Sequence, residues 1–277
     1  MDRPVVMGVV NLTPDSFSDG GRWRDVADAL EAAESMVAAG AGILDVGGES
    51  TRPGAVPVPV EEEIRRVVPF VRGATALGVP VSVDTRKAPV ARAALDAGAT
   101  IVNDVSGLAF DPAMAGVVAE SGAGLVLMHM RGTPADMADR ATYVDLHREV
   151  AEELAASIRR AERAGVPTDA VVVDPGIGFA KTAEHSLALL GDLSTVRALG
   201  RPVLVGPSRK SFIGATTGAP ADERLPGTLA ACVAAYLQGA RIFRVHDVGP
   251  AVQALAVAAA VDDTRTSRPA RSETGST

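Results

Sequence analysis

Short apolar runs of this chain end, one after another, on groups that bind or donate. In order they are Asn11, the segment GGESTR after Val46, Asp84, Asn103 with Asp104, His129, Asp174, the segment GPSRK after Val205, and His246. An Asn or Asp at a strand end ordinarily makes an Asx turn or caps a helix, and that suffices for Asn103 or Asp104 alone. A polar group at every strand end points instead to one site that draws on all of them. Arg244 and His246 in RVHD alternate to the same side of a strand, so both can reach one anion. The 4 histidines have no metal-ligand spacing, and His129, His147 and His185 read as structural.

The loop NLTPDSFSDGG raises a second chemical question, because a buried strand gives way to a polar run with Phe17 in its middle. With residues 47–60 it forms a pair of long loops after the first two strands. Both read as lids that keep water from a reactive centre. The net charge of −7 argues against general nucleic-acid binding, so an anion must be held by locally placed Arg, Lys or N–H groups. A single Cys232 excludes an internal disulfide. No secretory signal pattern opens the chain and no apolar run reaches the ~18 residues of a membrane span. A soluble cytoplasmic protein is expected, with no membrane partner.

The positioning elements alternate. Strand runs start at Val5, Gly42, Pro80, Thr100, Gly124, Ala170, Pro202 and Arg241. They are near-continuously apolar, as parallel strands covered on both faces are. Helical stretches lie between them: 26–38, 59–77, 89–97, 112–120, 145–164, 184–190, 211–217, 226–238 and 250–261. This α/β pattern predicts a single-domain (β/α)8 TIM barrel over residues 1–261, with its site at the C-terminal ends of the strands. An open doubly wound sheet is the rival. Residues 262–277 are polar and read as a disordered tail.

Together NLTPDSFSDGG, DVGGESTRPGA, VSVDT, VNDVSG, DPGIGFAKT, GPSRKSFIG and RVHDV resemble dihydropteroate synthase, in order and over nearly the whole chain. The resemblance implies condensation of a dihydropterin-methyl diphosphate with 4-aminobenzoate, Mg2+ dependence, a homodimer and inhibition by sulfonamides. It implies a pterin cradle of Asp84, Asn103, Met128, Asp174 and Lys210. Diphosphate would fall to Asn11, Thr51, Arg244 and His246, with Asn11 a neutral oxygen ligand for Mg2+. The 4-aminobenzoate would lie among Phe17, Thr51, Arg52, Pro53 and Phe179, its carboxylate at the helix start at Ser211. Asp84, Lys210, Arg244 and His246 carry the catalytic assignment. A methyltetrahydrofolate-corrinoid methyltransferase barrel would share the cradle without needing SRK and RVHD, and a pterin binder without turnover is the other alternative.

Overall fold

The computed structural model describes residues 3–13, 25–52 and 54–266. Eight parallel strands form one sheet: β1 Val5–Asn11, β2 Ile43–Gly47, β3 Val81–Asp84, β4 Ile101–Asp104, β5 Gly124–Met128, β6 Val171–Asp174, β7 Leu204–Val205 and β8 Ile242–Val245. Each pairs with the next, β8 also pairs with β1, and a bridge between Val173 and Val203 joins β6 to β7. The sheet therefore closes as a (β/α)8 barrel, and the open-sheet alternative is excluded.

The helices are α1 Val26–Ala38, α2 Val60–Ala74, α3 Ala88–Asp96, α4 Met114–Ser121, α5 Leu146–Arg163, α6 Ala183–Gly191, α7 Ser194–Arg197, α8 Ser211–Thr217, α9 Leu225–Leu237 and α10 Val248–Thr266. Their starts have local causes. Asp25 and Asp145 accept hydrogen bonds from N–H groups of the first turns of α1 and α5, and Thr182 with His185 forms a reciprocal capping box on α6. The one-turn α7 was not foreseen, having too few residues to show a period. The last helix runs through Thr266 rather than ending at Val261, so the expected tail loses its first residues to helix. Residues 267–277 lie outside the described residues.

Period-two alternation sorts the strand side chains into two cores. One set faces the helices and joins Val10, Leu44, Val83, Leu125 and Val173 to the helical layer. The other faces inward, where Met7, Ile43, Val126, Leu204 and Ile242 plug the barrel. The registers set Met7 against Ile43 and Val5 against Ile242, which gathers the plug at the N-terminal half of the strands. The next inward-facing layer is polar.

Candidate active site

Two residues beyond the plug, on the same strands, stand Asp45 of β2, Arg244 of β8 and, at neighbouring strand ends, Asp84, Asn103 and Asp174. Arg244 binds two carboxylates at once, with Nε 2.6 Å from Asp45 Oδ2 and Nη2 2.7 Å from Asp84 Oδ2. Asn103 Nδ2 donates to that same Asp45 oxygen at 3.2 Å. Asp45 is fully buried, and its Oδ1 and the Oδ1 of Asp84 have no hydrogen-bond partner among the described residues. Two buried carboxylates thus share one cation. Burial pushes the Asp84 carboxyl up to about 7, the Arg244 charge opposing it and the Asp45 charge adding to it. Burial works against the charge of Arg244, and the two carboxylates outweigh it.

Across the mouth, buried Asp174 accepts from the Gly176 N–H at 2.7 Å. Burial raises its carboxyl above the usual range, against the charge of Lys210. Lys210 is pushed down to about 7, burial being the main cause. Its ammonium donates to the Ile177 carbonyl and lies 4.1 Å from the centre of the Phe179 ring. Gly176 makes this loop possible. Its φ is +69°, and a Cβ there would fall 2.0 Å from the His129 carbonyl oxygen, so only glycine lets the segment carrying Phe179 press onto the end of β5.

These groups share one small cavity, lined by Thr51, Asp84, Asn103, Val105, Met128, Asp174, Phe179, Gly206, Lys210 and Arg244. All five residues expected in the pterin cradle are there. Met128 also packs with Val105, Met130, Met137 and Ala180 in a satellite cluster, so it serves core and cavity alike. Arg244, expected at an anion with His246, holds both mouth carboxylates and also lines the cavity. His246 Nδ1 lies 2.9 Å from Ser208 Oγ. Arg209 nonetheless pins the two motifs together, pairing with Asp247 at 2.6 Å while its own backbone sits at φ +57°. Asn11 ends β1 opposite Gly47. Ser211 is exposed at the start of α8 and does not line the cavity. Arg52, also exposed, lines a neighbouring hollow of about 510 Å3 with Thr13, Ser50 and Arg66. Phe17, Pro53 and most of the first lid, residues 14–24, lie outside the described residues.

Three supporting features escaped the sequence reading. Asp45 was passed over inside an apolar strand, where the barrel's register, setting it against Val9 and Ser82, turns it to the inward face. Glu49 and Lys87 staple the base of the second long loop. Glu49 accepts from the Val58 N–H at 2.7 Å, and Lys87 Nζ donates to the Val58 carbonyl at 2.5 Å, to Glu49 at 2.6 Å and to Glu63 at 2.6 Å. Lys181 reaches the Phe179 carbonyl at 3.0 Å and His129 Nδ1 at 2.9 Å, bracing the wall of the cavity. His129 fits this as a neutral ring, receiving at Nδ1 and giving its Nε2 proton to Glu153 at 3.0 Å. Burial pushes its pKa down to about 4. Asp104 takes the turn-forming role, accepting from the Ser106 and Leu108 N–H groups.

The model of the family described as "Pterin binding enzyme" matches residues 7–246. That span runs from the plug to the last residue of the mouth. The chain belongs to this pterin-binding enzyme family, among its dihydropteroate synthases. It is 47% identical to the dihydropteroate synthase of Synechocystis sp. over 261 residues, 94% of this chain and 90% of that one. The Yersinia pestis dihydropteroate synthase, solved in a sulfonamide drug complex, superposes with a TM-score of 0.90 at 42% identity, covering 94% of this chain and 95% of that one. The Xanthomonas albilineans dihydropteroate synthase, solved with 4-aminobenzoic acid, gives 0.87 at 44%, covering 97% and 95%. The enzyme is thus a dihydropteroate synthase, and no described helix is long and apolar enough to cross a membrane.

Proposed function

We propose that the mouth of the barrel joins a (7,8-dihydropterin-6-yl)methyl diphosphate to 4-aminobenzoate by a dissociative substitution. The carrying observation is the convergence of Asp84, Asn103, Asp174, Lys210 and Arg244 on one cavity. Such a set of acceptors and cations suits the polar edge of a flat heterocycle. Asp174 accepts from the ring N–H and amino group, fixing the ring. Asp84, Asn103 and Lys210 complete its polar contacts, and Met128 covers a face. The C–O bond to diphosphate then breaks, the positive charge left behind is shared with the ring, and the neutral aryl amine forms the C–N bond and releases a proton. Arg244, aligned by its two carboxylates, and His246, aligned by Ser208, neutralise the leaving diphosphate at the strand ends. Exclusion of water would fall to the second long loop, stapled at its base by Glu49 and Lys87.

The proposed metal is a hard, weakly held divalent cation. Among the described residues no three His, Cys, Asp or Glu side chains converge as ligands, whereas Asn11 supplies a neutral oxygen donor at the end of β1. Mg2+, when bound with diphosphate, would supply further charge neutralisation there. Phe179 and Thr51, with Arg52, Phe17 and Pro53, would surround 4-aminobenzoate or a competing sulfonamide. Cytoplasmic action as a homodimer completes the reading. Exposed Leu237, Val257 and Val261 on the packed pair α9 and α10 support a self-association that sedimentation would register. The decisive test follows diphosphate release and pteroate formation with and without 4-aminobenzoate. Pteroate formed in step with diphosphate is expected, and a protein that binds pterin but yields neither product refutes the reading.

A further inference from the structure

Most of the mouth residues have obvious work on a ligand, and Asp45 does not. It lies at 0% exposure and does not line the cavity. Yet one of its oxygens, Oδ2, receives both Arg244 Nε at 2.6 Å and Asn103 Nδ2 at 3.2 Å. An ionised carboxylate only accepts hydrogen bonds. Facing Asp45, the Asn103 amide must therefore turn its NH2 inward and away from the cavity, which leaves its carbonyl oxygen as the group it can offer a ligand. The same contact removes the rotational freedom of the Arg244 guanidinium, which Asp84 holds from its other nitrogen at 2.7 Å.

We propose that Asp45 is a positioning residue for this reaction, setting the hydrogen-bond polarity of Asn103 and the plane of Arg244 from beneath the cavity. The proposal rests on the pterin reading above and deepens it. A heterocycle whose edge donates N–H groups meets Asn103 as an acceptor only while something behind Asn103 takes its amide protons. Without that partner the amide is free to present NH2 to the ligand, donor against donor. The consequence is a loss of selectivity for a donating edge rather than a uniform weakening.

The determinant is an acceptor oxygen at the Oδ2 position, not the charge of the side chain, and this separates positioning from charge balance. Asp45→Asn keeps such an oxygen and Asp45→Ala removes it. The experiment measures binding of 6-hydroxymethylpterin by calorimetry, and steady-state constants for both substrates, in the full-length wild type and the two variants. Thermal unfolding of each is recorded alongside. Asp45→Ala is expected to weaken pterin binding about tenfold or more and raise the corresponding KM in step, with the 4-aminobenzoate KM at saturating pterin within about twofold. Asp45→Asn is expected to stay within about threefold of wild type. Equal losses in Asn and Ala variants would make Asp45 a charge-balancing residue and overturn the proposal, as would wild-type affinity in the Ala variant. If the Ala variant does not fold, Asp45→Ser is measured against Asp45→Asn by the same criteria. A wild type that binds no pterin counts against the functional reading itself, which keeps the two failures distinct.

Discussion

Two layers of one barrel, a single side-chain repeat apart, differ in almost everything but their backbone. The lower layer, Met7, Ile43, Val126, Leu204 and Ile242, is apolar and closely packed. The upper layer buries Asp45, Asp84, Asn103 and Asp174 almost as deeply, leaves Arg244 partly open to the cavity, and carries two carboxylate oxygens without partners among the described residues. Burying charge in this way costs stability unless pairing is complete. The lower layer supplies cohesion, and the upper spends part of it on a preorganised, incompletely satisfied polar surface. Dihydropteroate synthesis on this scaffold thus depends on rigidity made elsewhere.

The sharpest way to break the comparison is to cut each layer separately. Leu204→Ala in the plug is expected to lower unfolding free energy by about 2–5 kcal/mol, read by denaturant titration, with both KM values nearly unchanged for the molecules that remain folded. Asp174→Asn should show the reverse. It replaces an acceptor by a group carrying donors against the N–H edge of the pterin as proposed, for a loss of pterin affinity of about 2–4 kcal/mol in calorimetry and little change in stability. Parallel losses of stability and affinity in both variants would erase the division of labour.

A third expectation concerns pH. His129 is buried neutral with its pKa pushed down to about 4 from an ordinary 6.5, so the unfolded chain binds more protons in that interval. Stability is therefore fully present above about pH 6.5 and is lost as pH falls towards 4, by roughly 3 kcal/mol in all. Comparing wild type with His129→Gln by unfolding at pH 7 and pH 5 checks it, since the variant should lack this part of the slope.

Smaller in scale is ligand coupling. If Thr51 and Arg52 of the second long loop contact 4-aminobenzoate as proposed, a sulfonamide should bind more tightly after pterin, Mg2+ and diphosphate are present than to free enzyme. About 1–3 kcal/mol is typical of such coupling, and two titrations of one sulfonamide measure it. Smallest of all is a surface control far from either layer. Arg92 and Glu120 pair at 2.5 Å with both side chains largely exposed, and Arg92→Ala should change stability by less than about 1 kcal/mol.

Strand runs were legible because parallel strands covered on both faces are apolar almost throughout, and all eight predicted runs hold an observed strand. The same property concealed Asp45. In a strand buried on both faces, hydrophobicity does not distinguish the inward side from the helix-facing side, and only the barrel's register resolves it. The terminal residues Asp84, Asn103 and Asp174 were legible for the opposite reason, since a polar group closing an apolar run stands out.

What the sequence by itself determined was therefore the order of elements, the end of the barrel where polar groups gather, and the strand-end residues that line the cavity. Local propensity, caps and apolar runs act over a few residues and can be read in place. Only the tertiary structure decided which cation meets which anion. Arg244 and Asp45 are 199 positions apart, and Lys87 closes the second loop through Glu49, 38 positions away. Those pairings exist because barrel closure sets β8 beside β1, one strand from β2, and packing of the β3 loop against the β2 loop buries both charges together. Contacts of that range follow from closure of the whole sheet, which no local stretch of the chain encodes.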